Sequence, residues 1–487
     1  MDSVERAARV IAELQAAGVR EFCVCAGSRN APLLAVLGAS DAKLFSFVDE
    51  RSATFFALGR MKLHGDPVAV VTTSGTAVAE MLPAAIEAFY SGLPLVLVSA
   101  DRPARFRGTG APQSIEQVGL FGVYAETDLA EWTRTRPLHL NVELEELECR
   151  AWLQPAPPGA PARSTNPVRS AEGGGLKPRP TLGLRPLVIL GAIAPGHRQR
   201  VRELVKALNA PVYAEPLSGL REDPTLPHIT AGERMIRRGN FDSVIRIGNV
   251  PTLRFWRDLE TLDLPVTHFS DLPFPGLTRG DVHPIEALDD STTRRLDDSF
   301  LLEQDREMRA RIEAILDSEP ASELAMLREL SRGLPEHARV YLGNSLPIRE
   351  WDLAATRDRR FDYEANRGAN GIDGQISTFF GWCAPDRENV CVVGDLTAIY
   401  DLGAPWIVPQ LDAPFRIVIL NNGGGRIFGR VASLRALDPS LRERVIENVH
   451  DVRFEHWAQM WSIDVTELRP DEEASRRVWA RYDELWA

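Results

Sequence analysis

A chain of 487 residues, 44% hydrophobic and 25% charged, has room for about three domains and the balance of a soluble globular protein. Its net charge of -12 argues against nucleic acid and anionic membrane as partners, and any anionic substrate must be held by local cations against the field of the whole. The opening MDSVERAARV is charged and amphipathic without a signal-peptide core, and apolar runs such as 93–98 are too short to span a bilayer, so a cytoplasmic protein without membrane insertion is expected.

In chain order, residues 4–17 repeat apolar side chains at helical spacing and stop at Gly18. Strands are expected at 22–25, 44–48, 68–71 and 95–98, with helical patterns between them, one over 51–64 ending at Gly65. This alternation implies a parallel, doubly wound α/β sheet for 1–153. Each expected strand runs into a polar turn: Gly27-Ser28-Arg29-Asn30, Asp49-Glu50-Arg51, Thr73-Ser74-Gly75-Thr76 and Asp101-Arg102-Pro103. That is the edge where such sheets bind ligands, although any one of these turns also suits a plain helix N-cap. The five cysteines, Cys23, Cys25, Cys149, Cys383 and Cys391, form no CxxC pair. Cys23 and Cys25 alternate along a strand and face one side, so buried free thiols in a reducing compartment are expected.

Residues 154–186 are crowded with Pro and Gly and keep no apolar period, as in an exposed interdomain linker. A second α/β domain over 187–300 follows, with strands at 187–190, 243–247 and 265–269 and a helix at 197–208. Its GAIAPG turn lacks the Lys and Ser/Thr of a phosphate loop. The stretch 289–330 is charged and helical in pattern, which predicts a solvated helix and connector, with 301–330 as its helical part. A third domain, 331–487, opens with a strand at 339–342 that ends in Gly343-Asn344-Ser345. Polar, glycine-rich turns at 366–368 and 371–374 come next, and the tail from about Arg435 reads as helical with packing tryptophans.

Within that domain, an apolar strand at 390–393 runs into Gly394-Asp395, a helical pattern starts near Thr397, and a second apolar strand at 416–420 ends in Asn421-Asn422. Asp395 and Asn422 are 27 positions apart. In a parallel sheet both strand ends reach the same edge. An Asp, an Asn amide oxygen and a backbone carbonyl in a glycine-rich turn make a hard-oxygen set that suits Mg²⁺ held jointly with phosphate. Two strand-end turns using Asp, Asn and Gly for their ordinary geometry are the plain alternative.

The stretch GDLTAIYDLG…LNNGGGRIF is similar to the thiamine diphosphate and Mg²⁺ motif of thiamine-dependent enzymes, which opens GDG and closes NN. Leu396 in place of the third Gly, YDL after it, and GG then IF after NN resemble one branch, the 2-succinyl-5-enolpyruvyl-6-hydroxy-3-cyclohexene-1-carboxylate synthase family of menaquinone biosynthesis. The resemblance implies three doubly wound α/β domains. It implies that Asp395, Asn422 and the Gly424 carbonyl bind Mg²⁺ (or Mn²⁺), and that Gly394, Leu396, Thr397, Ile427 and Phe428 complete the thiamine diphosphate site. VDERSATFFALG matches the segment whose glutamate, here Glu50, bonds the aminopyrimidine. On the residues alone Glu50 is a first-turn carboxylate favoured by the helix dipole, and the resemblance reverses that reading.

The implied substrates are 2-oxoglutarate and isochorismate, and the implied assembly is a homodimer or homotetramer. Matched positions give Ser28, Arg29, Arg102, Gln113, Arg254, Ser345, Arg349 and Arg367 as substrate-binding. Arginine forks suit carboxylates, while each taken singly also suits a surface ion pair. Two positions depart from the family pattern: Pro112 stands where Asn is frequent, and Leu253 where a basic residue is frequent. An acetolactate synthase or another 2-oxoacid decarboxylase is the rival within the superfamily. A silent binding protein is opposed by the presence of Glu50, Asp395 and Asn422, and a dehydrogenase by the lack of a GxGxxG turn.

Overall fold

The structure is a computed structural model that describes residues 2–145, 183, 185–288 and 299–487. Among these residues, three five-stranded sheets form, with every strand pair parallel. The first holds β1 (Glu21–Cys25), β2 (Lys43–Phe47), β3 (Val68–Thr72), β4 (Leu95–Asp101) and β5 (Leu138–Glu143) in the order β2-β1-β3-β4-β5. The second holds β6 (Pro186–Leu190), β7 (Val212–Ala214), β8 (Ser243–Ile247), β9 (Val266–Phe269) and β10 (Val282–His283) in the order β10-β9-β8-β6-β7. The third holds β11 (Arg339–Leu342), β12 (Asp362–Glu364), β13 (Asn389–Gly394), β14 (Phe415–Leu420) and β15 (Val465–Leu468) in the order β12-β11-β13-β14-β15. The central strands β3, β4, β6 and β8 are buried along their whole length, as expected where helices cover both faces of a parallel sheet.

One apolar core joins the two outer sheets, because the helix Glu50–His64 packs on the helix Gln375–Trp382. Glycines allow the approach. A Cβ on Gly59 would lie 2.0 Å from Thr378 O, and one on Gly381 would lie 2.1 Å from Phe56 O. The contact is sealed by Ser52 Oγ and Ser377 Oγ at 2.8 Å and by Lys62 Nζ donating to Glu364 at 2.8 Å. The buried carboxylate of Glu87 accepts from Gly368 N at 2.7 Å and Ala369 N at 2.6 Å, so the first sheet's helical layer fixes a turn beside the third sheet. The middle unit is tied to the third by Arg221, which is fully buried. Its guanidinium donates to the carbonyls of Asp352 at 3.0 Å and Ala355 at 2.9 Å, satisfying the C-terminal end of the helix Leu346–Ala354.

Several sequence expectations need correction. The tail is not all helix: β15 intervenes between the helices Glu455–Trp461 and Glu472–Glu484, where Val465 and Thr466 favour an extended chain beside β14. The stretch expected as a solvated connector is half core. The helix Ser299–Ser318 buries Leu301, Met308, Ile312, Ile315 and Leu316, and its buried Asp305 accepts from Thr230 N and Ala231 N. The expected linker falls almost entirely outside the described residues, and Pro186 at its end already belongs to β6. The helix after Gly394 begins at Asp395 rather than Thr397. Cys23, Cys25, Cys383 and Cys391 are buried free thiols, each pushed up by burial, whereas Cys149 lies outside the described residues. Among the described residues no helix is long and apolar enough to cross a membrane.

Candidate active site

The parallel pairing of β13 with β14 sets Gly394 opposite Leu420, so the two strand ends predicted to cooperate open on the same edge. There Ser345, Gly394, Asp395, Leu396, Thr397, Asn422, Gly424, Ile427 and Phe428 line one cavity of about 110 Å³ together with Glu323 and Arg426. Asp395 is 3% exposed. Its Oδ2 accepts from Gly423 N at 2.8 Å and Gly424 N at 2.9 Å, and its Oδ1 accepts from Leu396 N at 2.6 Å. Burial pushes this carboxyl up, and the three N–H groups and nearby His450 oppose the shift. His450 Nε2 stands 3.5 Å from Asp395 Oδ2 without a hydrogen-bond partner.

Gly424 has φ of 136°, and a Cβ there would lie 2.7 Å from Glu447 O, so only glycine keeps this turn. Arg426 braces it, donating from Nε to Asn422 O at 3.1 Å and from Nη1 to Glu447 at 2.9 Å. The Gly424 carbonyl accepts from Arg426 N at 2.8 Å and keeps a second lone pair. Asn422 donates its Nδ2 to Glu323 at 2.9 Å, which leaves Oδ1 as the amide's unspent acceptor on the cavity wall. A buried carboxylate, an amide oxygen and a carbonyl on one small cavity make a donor set that fits a hard divalent cation shared with phosphate oxygens.

The third sheet also positions two of the predicted arginines. Ser345, at φ 73°, heads the helix Leu346–Ala354, and Arg349 one turn on donates back to the Ser345 carbonyl. Arg367 donates to Asn344 Oδ1 at 2.8 Å, and its buried Nε has no partner. Burial lowers both guanidinium groups, Arg367 to about 10, and the charge of Glu215 opposes this in each. Glu215 comes from the middle unit, where it is 3% exposed and accepts from Thr252 N at 2.6 Å. Burial pushes it up to about 7. Arg254 follows two residues after Thr252, exposed at the start of the helix Arg254–Asp258. The strand-end turns of the middle and third sheets therefore converge around Arg349, Arg367 and Glu215.

The first-sheet residues form a separate edge. Gln113 is exposed at φ 56°, and its Cα lies 3.2 Å from where a Gly75 Cβ would stand. Arg102 donates from Nε to Pro112 O at 3.0 Å, so the turn containing Pro112 is tied to the end of β4 through its carbonyl. Ser28 is exposed after β1, whereas Arg29 is 8% exposed and donates to Leu144 O at 3.1 Å. Glu50 begins the helix Glu50–His64 behind the N-cap Asp49, and its Oε1 accepts from Thr72 Oγ1 at 3.0 Å. Glu50 is not among the residues that line the cavity of Asp395 and Asn422.

Sequence reasoning missed Glu323, Glu215, Glu87 and Glu447. Each reaches its turn from a distant element, and nothing near it in the sequence signals the contact.

A family model described as "Thiamine pyrophosphate enzyme, N-terminal TPP binding domain" matches residues 5–120. A Bdellovibrio bacteriovorus protein named 2-succinyl-5-enolpyruvyl-6-hydroxy-3-cyclohexene-1-carboxylate synthase is 42% identical, with 100% of each chain covered. Relatives of the same name from Akkermansia muciniphila and Geobacillus thermodenitrificans are 39% and 33% identical, covering 95% and 91% of this chain and 91% and 86% of theirs. Full-length identity at this level, on a chain whose GDL and NN strand ends meet at one cavity, places the protein: it belongs to the 2-succinyl-5-enolpyruvyl-6-hydroxy-3-cyclohexene-1-carboxylate synthase family of thiamine diphosphate-dependent enzymes.

Proposed function

We propose that this protein decarboxylates 2-oxoglutarate and adds the resulting four-carbon unit to isochorismate, giving 2-succinyl-5-enolpyruvyl-6-hydroxy-3-cyclohexene-1-carboxylate. The observation that carries the reading is the full-length relationship to a synthase of that name, joined to the cavity at the ends of β13 and β14. Thiamine diphosphate supplies the electron sink for loss of CO₂ from a 2-oxoacid. Asp395, Asn422 Oδ1 and the Gly424 carbonyl would hold Mg²⁺, or Mn²⁺ as an alternative ion. Gly394, Leu396 and Thr397 line the site, with Ile427 and Phe428 as its apolar wall. Glu50 would serve the bound cofactor's aminopyrimidine as its general acid–base partner.

Arg349, Arg367 and Arg254, with Ser345, bind substrate carboxylates on one side, and Ser28, Arg29, Arg102 and Gln113 do so on the other. The lowered guanidinium groups of Arg349 and Arg367 reflect buried cations short of counter-charge, a condition that an incoming carboxylate relieves. The working unit is at least a homodimer, with Glu50 of one chain facing the diphosphate cavity of the other. Two observations support this. Glu50 is not among the residues that line the cavity of its own chain. Exposed apolar side chains, Val48, Tyr400 and Trp406, also lie close to Glu50 along the chain or through Arg51, which donates to Tyr400 O at 2.9 Å, and Trp406, which donates to Ser46 O at 3.0 Å.

The test is donor choice. With thiamine diphosphate, Mg²⁺ and isochorismate present, CO₂ release from 2-oxoglutarate should greatly exceed that from pyruvate, which lacks the distal carboxylate. Arg367→Ala should reduce 2-oxoglutarate use while leaving thiamine diphosphate affinity unchanged. Preferential consumption of pyruvate with acetolactate formation would move the protein to the rival activity.

A further inference from the structure

Asn422 is the one proposed metal ligand that is a side-chain amide, and an amide offers oxygen or nitrogen according to which way it is turned. Something must hold it oxygen-inward. The partner of its Nδ2 is Glu323, 99 residues earlier at the start of the helix Glu323–Gly333, with a contact of 2.9 Å. Glu323 is 4% exposed and borders the same cavity. Its main chain is pinned by donation from its N–H to Ser475 Oγ at 3.0 Å.

Beyond Glu323 stands a second buried carboxyl. Glu350 is 1% exposed, and its Oε1 accepts from Arg430 Nη2 at 2.6 Å. Arg430 in turn lies over the Trp479 ring, 3.7 Å from its centroid. Glu350 Oε2 is buried and has no hydrogen-bond partner among the described residues. Burial, with the nearby Glu350 charge adding to it, pushes the Glu323 carboxyl well up, and the charge of Arg430 opposes this.

We propose that Glu323 is a positioning residue: its buried carboxyl, held by a main chain pinned to Ser475, accepts from Asn422 Nδ2, which fixes the Asn422 amide with Oδ1 toward the Asp395 cavity. This rests on the reading of Asn422 as a metal ligand. It extends that site to the start of the helix Glu323–Gly333, whose N–H at Glu323 is tied to Ser475 on the C-terminal helix Glu472–Glu484. Partners of this kind orient metal ligands, and their loss typically costs ~10–100-fold in metal affinity. The geometry also specifies which substitution is tolerated. Gln at 323 retains an acceptor for Asn422, whereas Met matches the volume and supplies none.

The experiment measures Mn²⁺ affinity by titration calorimetry and electron paramagnetic resonance in the presence of thiamine diphosphate. It compares the full-length wild type with Glu323→Gln, Glu323→Met, Asn422→Ala and the Glu323→Met/Asn422→Ala double variant. Glu323→Met should weaken Mn²⁺ by ~10-fold or more, Glu323→Gln should stay within about threefold of wild type, and the double variant should bind no more weakly than Asn422→Ala. If Glu323→Met does not fold, Glu323→Asp, which keeps the acid but withdraws it by one methylene, carries the same expected loss. Wild-type affinity in Glu323→Met or Glu323→Asp would overturn the proposal when Asn422→Ala itself weakens Mn²⁺. So would an equal further loss when Glu323→Met is placed on Asn422→Ala. Unchanged affinity in Asn422→Ala would instead remove Asn422 from the ligand set, a failure of the underlying reading that the same data separate from the first.

Discussion

Glu50 has the surroundings of a first-turn carboxylate, with Thr72 Oγ1 on one oxygen, and its proposed chemistry is tested by removing only its ability to share a proton. Glu50→Gln keeps shape and hydrogen bond, so turnover should fall ~10²–10⁴-fold with little change in stability. Hydrogen exchange at C2 of bound thiamine diphosphate, followed by NMR, checks this, and wild-type exchange rates would reduce Glu50 to a helix-turn carboxylate. Glu215 makes a pH prediction. Its folded value, raised to about 7 by burial, lies above that of an unfolded glutamate, so its contribution to stability is fully present below about pH 4.5 and is lost as pH rises through about 7. Relative to Glu215→Gln, the wild type should lose about 3 kcal/mol between those limits, read from urea midpoints across pH. A parallel pH dependence in both proteins would mean that Glu215 titrates normally. At this scale the sequence reveals what is local. Asp395, Asn422 and Gly424 stand in strand-end turns that declare themselves, whereas Glu323 meets Asn422 across 99 residues and Glu87 meets Gly368 across 281, distances no spacing rule covers.

The helix Glu50–His64 carries Glu50 at one end and meets the third sheet's helix Gln375–Trp382 through glycine contacts at its middle. Gly59→Ala drives a Cβ against the Thr378 carbonyl, a backbone atom that cannot rotate away. Overpacking of this kind costs about 1–3 kcal/mol, and it should lower the urea midpoint and, by shifting the helix, impair turnover as well. A Gly59→Ala protein as stable as wild type would show that the two helices separate freely. The strands read from apolar runs include β3, β6, β8, β13 and β14, mostly buried, and also β2, whose apolar alternation is half exposed. Those missed are short or mixed: β7, though buried, has only three residues. β5 carries His139 and Asn141, which serve a polar network with Ser99, Gln117 and Asp101. β12 and β15 are three and four residues long, at the edges of their sheet, where neither length nor periodicity distinguishes them from loop. The helix Ser299–Ser318 reads as solvated because charges are interleaved along it, although Leu301, Met308, Ile312, Ile315 and Leu316 fall on a buried face.

At the scale of the whole molecule, the proposed dimer, with Glu50 of one chain serving the Asp395 cavity of the other, predicts that two defective proteins repair one another. Glu50→Gln and Asp395→Ala, each nearly inactive alone, should together form mixed dimers with one intact site, restoring about a quarter of wild-type activity when co-expressed in equal amounts. No recovery, with mixed dimers demonstrated by mass, would place both residues in one chain's site. The three-layered plan was legible from the alternation of strands and helices, and the family from the GDL and NN turns. The joining of the sheets was not, because it depends on buried polar contacts such as Arg221 on the helix Leu346–Ala354 and Glu87 on the 366–369 turn. The most direct test of the reaction follows the carbon. With thiamine diphosphate, Mg²⁺, isochorismate and 2-oxoglutarate labelled with ¹³C at every position, the account predicts one labelled carbon released as CO₂ and the other four in a single adduct with the unlabelled ring, identified by mass. Labelled CO₂ with no ring adduct, or no turnover of 2-oxoglutarate while pyruvate is consumed, would contradict it.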